Sequence, residues 1–249
     1  MTAGREPLAC RVVGLEPATH DIRILRLAPP AGERLVFRAG QYVKLGFGAL
    51  PPRDYSMASR PDEPLLEFHI RDVGDGASRY AVRRLARGET VTVAGPFGDA
   101  YLRADHPGPI IAIAGGSGLA PMKSIVEAAL HCGLPQDIRL YFGVRSERDL
   151  YLLDHFARIA AAHANFRFIP VVAEPTGASP WRTGLVGDAV LADIADFTGY
   201  KTYLAGPPPM VEATVAQLRS RGLPAADIHA DPFYSEEENR RRREIDRSL

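Results

Sequence analysis

Over the first hundred residues, apolar side chains recur at every second position, with turn residues between the runs. Val43, Leu45 and Phe47 form one apolar face. Leu66, Phe68 and Ile70 alternate with Glu67, His69 and Arg71, and Val91 and Val93 alternate with Thr90 and Thr92. A period of two with one polar face predicts half-buried antiparallel strands from residue 8 to about 100, and a small barrel is their natural closure. One short helix interrupts them, from about Ser78 to Leu85, where the apolar spacing becomes helical. The pattern changes after the polar, Pro- and Gly-bearing stretch Arg103-Ala104-Asp105-His106-Pro107-Gly108, which reads as a linker. Beyond it, short continuous apolar runs alternate with helical spacing. Ile110 to Ala114 precede Met122, Ile125, Val126, Ala129 and Leu130. Ile138 to Phe142 precede a helix around Leu150 to Ile159; Phe166 to Val172 follow; Lys201 to Ala205 precede a helix through Met210, Val215 and Leu218. Runs buried on both faces and separated by helices predict a doubly wound α/β parallel sheet. The expected organisation is therefore an antiparallel β-barrel domain over 1–105, an α/β domain over 106–235 and a charged tail over 236–249. In the tail, Glu236, Glu237 and Glu238 stand four residues before Arg240, Arg241 and Arg242, so a solvated terminal helix would pair opposite charges.

Composition narrows the function. Thirty Lys plus Arg balance thirty Asp plus Glu, leaving no net field with which to gather nucleic acid or anionic lipid. No run approaches the ~20 consecutive apolar residues of a membrane helix, and the first twenty residues lack a signal-length apolar core, so a cytoplasmic protein is expected. Cys10 and Cys132 are too few for a disulfide framework, a thiolate zinc cage or an all-cysteine iron–sulfur cluster, and redox chemistry would need another cofactor. The seven histidines show no metal-ligand spacing, and Cys132 reads as an inert buried thiol.

Gly115-Gly116-Ser117-Gly118-Leu119-Ala120-Pro121 follows an expected strand and opens an expected helix, where backbone amides and the positive helix end favour an anion. Pro121 suits a first helical turn. Three rival motifs fail: Met122 stands where a P-loop needs Gly, Leu119 where a nucleophile elbow around Ser117 needs Gly, and Pro121 where the third Rossmann Gly belongs. A diphosphate-binding turn survives, beside the alternative of a glycine turn needed only for helix packing. Arg53-Asp54-Tyr55-Ser56 offers a bidentate phosphate grip and a flat aromatic face, or simply a surface Arg beside a partly buried Tyr. Gly74-Asp75-Gly76-Ala77-Ser78 is a second glycine-rich turn at a helix start, with Ser78 as cap or phosphate ligand. Two such turns in two domains suggest two nucleotides. In Ala205-Gly206-Pro207-Pro208, Gly206 removes bulk at the sheet edge that ligands use, or marks a plain strand-to-helix stop.

Taken in order, these segments resemble the ferredoxin-NADP reductase superfamily from about Ala9 to Tyr234. Arg53-x-Tyr55-Ser56 is similar to its flavin motif, Gly116-x-Gly118-x-x-Pro121 to its pyridine-nucleotide motif and Gly206-Pro207-Pro208 to its nicotinamide-side motif; Gly95-Pro96-Phe97-Gly98 and Asp231-Pro232-Phe233-Tyr234 also look like family segments. The resemblance implies an FAD-binding barrel, an NAD(P)-binding α/β domain and hydride transfer from nicotinamide C4 to flavin N5 in the cleft between them. It further implies that Tyr55 packs on the isoalloxazine ring, Ser56 sits by N5 and Arg53 holds the FAD diphosphate with Gly76, Ala77 and Ser78. His69, Ile70 and Arg71 would line the flavin by backbone and side chain, Gly116, Ser117, Gly118 and Pro121 would hold the pyridine nucleotide beside Gly206 and Pro207, and Phe233 or Tyr234 would cover the second ring face. Tyr55, Ser56 and Phe233 are the implied catalytic set.

The chain departs from some members in having Ala205 where they carry Cys, and it shows neither an iron–sulfur domain nor a C-terminal cysteine cluster, so electrons are expected to leave directly from flavin. It resembles both bacterial flavin reductases, which release reduced FMN or FAD to a monooxygenase, and the FAD/NADH module of multicomponent oxygenase reductases. The diphosphate grip of residues 74–78 favours the second branch and tightly bound FAD, with FMN as the alternative. Arg145 and Arg148 would suit a 2'-phosphate, but Glu174 in Ala173-Glu174-Pro175 would accept a ribose hydroxyl and repel one, which favours NADH over NADPH. The expected activity is an NAD(P)H-dependent flavoprotein reductase that feeds a ferredoxin or oxygenase component; a non-catalytic nucleotide-sensing subunit is the reading of another class.

Overall fold

A computed structural model describes residues 6–74 and 76–234; the charged tail and its expected ion pairs lie outside the described residues. The N-terminal half forms β1 (Leu8–Pro17), β2 (Ile22–Ala28), β3 (Tyr42–Gly46), β4 (Arg53–Ser56), β5 (Leu66–Arg71), α1 (Gly76–Arg83) and β6 (Thr90–Phe97). The strands make one antiparallel sheet in the order β4-β3-β6-β1-β2-β5. The sheet curls until its edges meet, where Met57 bridges Phe68 and the Ala58 N–H donates to the Glu67 carbonyl at 2.7 Å. Alternate residues fill the interior, among them Cys10, Val12, Leu27, Val43, Leu45, Phe68, Val91 and Val93.

Helix α1 closes one end through Ala77 and Ala81 and starts two residues before the expected Ser78. Leu85 lies beyond the helix yet stays buried, because its N–H and that of Arg84 both return to the Tyr80 carbonyl. On β5 the expected polar-out face is not exposed: Glu67 and His69 are 9% and 5% accessible, because a helix of the second half lies over them.

The second half forms β7 (Ile110–Gly115), α2 (Leu119–His131), β8 (Ile138–Val144), α3 (Leu153–Ala162), β9 (Phe166–Val172), β10 (Arg182–Thr183), α4 (Val186–Asp193), β11 (Lys201–Gly206), α5 (Pro208–Ser220) and β12 (Ile228–Pro232). All pairs are parallel, in the order β10-β9-β8-β7-β11-β12. Met122, Ile125, Val126 and Phe156 pack on one face, and Val186, Val190, Val211 and Leu218 on the other. The chain leaves β7 toward β9 on one side and returns to β11 on the other, so the sheet's switch point, where α/β folds bind ligands, lies at the C-terminal ends of β7 and β11.

Three local expectations change. Helix α3 begins at Leu153 rather than near Leu150, because Leu152 takes a left-handed conformation (φ 58°) that breaks the helical run and turns Tyr151 inward. Strand β12 and helix α4 were not anticipated. Cys132 is exposed, since α2 ends at His131, whereas Cys10 is buried and its thiol is pushed up to about 11, by burial first and then by Glu33. Among the described residues no helix is long and apolar enough to cross a membrane.

Candidate active site

At the switch point, β7 ends in Gly115, a tight turn covers Gly116–Gly118, and α2 begins at Leu119. Close packing dictates the glycines here. A Cβ on Gly118 would lie 2.1 Å from the Ala205 carbonyl oxygen, and one on Gly115 would lie 2.5 Å from the Met210 sulfur. Pro121 is buried in the first turn of α2 and has no N–H to leave unpaired, no side chain caps that helix, and the Leu119 N–H is taken by the Gly116 and Ser117 carbonyls. Gly206 (φ +143°) ends β11 directly against the Gly115 backbone.

A cleft of about 460 Å³ opens in front of these turns, lined by Gly115, Ser117, Pro207, Pro208 and Phe233 from the parallel sheet and by Asp21, Arg71, Asp72 and Val73 from the barrel. That volume is in the range of cofactor sites. Arg71 donates Nε–H to Asp21 at 2.7 Å, and its guanidinium reaches toward Gly116. The Phe233 N–H donates to the Gly206 carbonyl at 2.9 Å, which fixes the ring over the cleft at 37% exposure. The Tyr234 hydroxyl instead donates to Glu212 on α5 at 2.6 Å, so Phe233 is the aromatic offered to a ligand.

On β4 the period of two places half-buried Arg53 and Tyr55 on one face and buried Ser56 on the other. Tyr55 stands edge-on to Phe47, with ring centroids 6.2 Å apart. The Ser56 hydroxyl donates to Asp231 Oδ2 at 3.3 Å, linking barrel to β12. At the start of α1, Gly76 is exposed, Ala77 packs inward, and the Ser78 hydroxyl accepts the Val73 N–H at 3.2 Å, shaping the second glycine-rich turn.

Not every expected residue reaches the cleft. The Ile70 side chain belongs to the barrel core, and the His69 ring is buried between Glu67 and Tyr151. Of the three β5 residues, Arg71 alone lines the cleft, and Arg53, Tyr55, Ser56 and the 76–78 turn lie outside its lining. Glu174 lies beyond β9, outside the cleft lining, in an exposed pair with Arg145 at 3.0 Å. Among the described residues, no cluster of three His, Cys, Asp or Glu could hold a metal ion.

Asp231 was missed as a site residue. A parallel strand beside β11 places it opposite Ala205, between Ser56 and a polar cavity of about 230 Å³ lined also by Tyr42, Asp99 and His229. Burial pushes its carboxyl up to about 6 from 3.8, with Ser56 opposing the shift and Asp54 adding to it. The folded chain therefore holds this proton more tightly than the unfolded chain. The charged carboxylate costs nothing below pH 4, an increasing amount through pH 4 to 6, and at most about 3 kcal/mol above that. Asp231→Asn should raise the melting midpoint at pH 8 and leave it unchanged at pH 4; a lower midpoint at pH 8 would contradict this assignment.

An antiparallel barrel that bears an Arg-x-Tyr-Ser strand and sends Arg71 into a cleft shared with the glycine turns of a parallel sheet has the architecture of a two-domain flavin and pyridine-nucleotide oxidoreductase. Comparison agrees: the oxidoreductase FAD-binding domain model matches residues 9–101 and the oxidoreductase NAD-binding domain model matches residues 112–216. The chain is 41% identical over 224 residues to the ferredoxin–NAD(P)+ reductase component of the naphthalene 1,2-dioxygenase system of Pseudomonas putida, covering 90% of this chain and 68% of that one. It is 40% identical to the reductase subunit of an Amycolatopsis aromatic O-demethylase, covering 91% and 69%. The solved structure of an Amycolatopsis cytochrome P450 reductase superposes with a TM-score of 0.85 at 37% identity, over 91% of this chain and 69% of that one. The chain belongs to the ferredoxin-NADP reductase superfamily.

Proposed function

We propose that this chain binds FAD tightly, takes hydride from NADH in preference to NADPH, and passes electrons to a separate redox protein, a ferredoxin or an oxygenase component, in the cytoplasm. The observation that carries the reading is the single cleft in which Arg71 of the flavin half meets the Gly115–Ser117 turn, Pro207 and Phe233 of the nicotinamide half.

The residues fit the two cofactors. Gly115 and Ser117, which line the cleft with little side-chain bulk at the positive end of α2, suit the close approach of one nucleotide, while half-buried Arg53 and Tyr55 suit a diphosphate and a flat ring. When bound, FAD supplies a hydride acceptor at N5 and can release electrons singly or in pairs. Arg53 and the 76–78 turn would bind its diphosphate, Tyr55 would hold the ring, and Phe233 would shield the open face from water. Pro207 lines the cleft where the nicotinamide would lie, and the Ser56 hydroxyl is held at the end of β4 by donating to Asp231. The relatives above are named as the ferredoxin reductase component of a dioxygenase system and the reductase subunit of an aromatic O-demethylase, which supports a protein acceptor over release of free FMN or FAD. Gel filtration separates these readings, since a protein acceptor requires retained yellow flavin and a free-flavin reductase would elute colourless.

The preference for NADH rests on Glu174. Its carboxylate engages Arg145 at 3.0 Å beyond the end of β9 and so occupies the cation that would otherwise suit a 2'-phosphate. Glu174→Gln should free Arg145 and lower the NADH to NADPH ratio of kcat/KM by about 10-fold, corresponding to ~1.4 kcal/mol. An unchanged ratio would remove Glu174 from this role.

A further inference from the structure

Between the two halves runs a line of buried polar side chains outside the cleft lining. Lys123 of α2 is 6% exposed; its Nζ stands 3.2 Å from Glu67 Oε1 on β5 and 3.1 Å from Glu127 Oε2 one turn further along α2, and it donates to the Ala58 carbonyl at 3.3 Å. The remaining oxygens are also engaged. Glu67 Oε2 accepts Arg26 Nε–H at 2.8 Å, and Glu127 Oε1 meets His155 on α3. Beside this cluster the His69 ring lies 3.4 Å from Glu67 through Nε2 and 2.9 Å from the Tyr151 hydroxyl through Nδ1. The same hydroxyl is 3.4 Å from the carbonyl of Gly116, the first residue of the nucleotide turn.

Two features separate this line from ordinary packing. Its members come from opposite halves: Arg26, Glu67 and His69 from the barrel, Lys123, Glu127, Tyr151 and His155 from the parallel sheet's helices and loops. Sliding one half on the other would strip Lys123 from Glu67 in surroundings too dry to rehydrate either, so the pair fixes a register more than it adds net stability. Moreover, Tyr151 is delivered to the seam by the left-handed Leu152, the one non-glycine residue with positive φ among those described. A branched side chain resists that conformation, and such strain persists where the surrounding contacts impose it.

We propose that Tyr151 and Lys123 are positioning residues for hydride transfer, the Tyr151 hydroxyl tying the Gly116 turn of the nicotinamide half to His69 on the flavin strand. This inference rests on the flavin–nicotinamide reading above. The strand it grips is the one that sends Arg71, two residues on, into the cleft, so the line joins the two walls between which the cofactors would meet.

The test uses holoenzyme, with Tyr151→Phe as the main variant because it deletes one oxygen from a buried ring, and Lys123→Met as the second. Flavin bleaching by NADH is followed anaerobically in a stopped-flow instrument, with normal and 4-deuterated NADH, alongside flavin content, melting midpoint and the NADH dissociation constant. Tyr151→Phe is expected to bleach about 10-fold more slowly with an enlarged isotope effect, since small misplacements of reacting atoms are costly. Its flavin content and NADH affinity should stay within about twofold of wild type. Lys123→Met should shift the same quantities further. A wild-type bleaching rate in Tyr151→Phe would overturn the proposal, as would a slowing accounted for by lost flavin or a lowered midpoint. Failure of NADH to bleach the wild-type flavin would instead sink the reading beneath it, so the two failures are distinguishable.

Discussion

Arg53→Ala should leave the protein largely colourless after desalting while its affinity for NADH stays within a few-fold of wild type. The asymmetry follows from which half holds which anion. Arg53 sits on β4 opposite Leu45 of β3 and on the same face as Tyr55, so a planar guanidinium and a flat ring are presented together from the barrel edge. The nucleotide turn at Gly116–Gly118 stands on the other sheet and would use backbone amides and a helix end, none of which depends on Arg53. Hydrogen bonds to charged groups are worth about 1.5–3 kcal/mol each, so losing a bidentate grip should weaken FAD binding by about 100-fold or more. Flavin-to-protein ratio after gel filtration and an NADH titration would measure both sides. Equal loss of both ligands in a folded variant would remove Arg53 from the FAD site.

Gly118→Ala should do the reverse. Gly118 has an ordinary helical backbone (φ −60°, ψ −11°), so alanine meets no torsional objection there. The obstacle is steric: the new methyl would lie 2.1 Å from the Ala205 carbonyl oxygen and 2.4 Å from its carbon, both backbone atoms of a central strand that cannot swing aside. The turn must lift off β11, which costs about 1–3 kcal/mol or more in stability and misplaces the amides meant for a diphosphate. KM for NADH should rise more than about tenfold while FAD stays bound, because the barrel is untouched. A variant with wild-type KM and melting midpoint would show that the turn is looser than its contacts require.

The parts of this account legible in sequence were those whose cause is local. Alternation from Val43 to Phe47 and in β6 needs only one buried face, and the Gly115–Pro121 turn carries its chemistry in consecutive residues. The burial of β5 was hidden because Glu67 and His69 look like a solvent face until Lys123 and Tyr151, roughly fifty and eighty residues on, arrive to cover them. Tyr151 read as an early helix residue, and only the left-handed Leu152 makes it a seam residue. Asp231 lay in a segment singled out for its aromatics; its link to Ser56 exists because β12 pairs with β11, a long-range register that no local spacing encodes.

The central claim is that flavin is held by the barrel and reduced in the cleft by NADH. The most direct measurement is the visible spectrum of the purified, desalted protein before and after anaerobic addition of NADH and then NADPH. Flavin bands at close to one per chain are expected, bleached by NADH and poorly by NADPH. A colourless protein that oxidises NADH only when flavin is added would contradict it, and so would retained flavin that neither nucleotide bleaches.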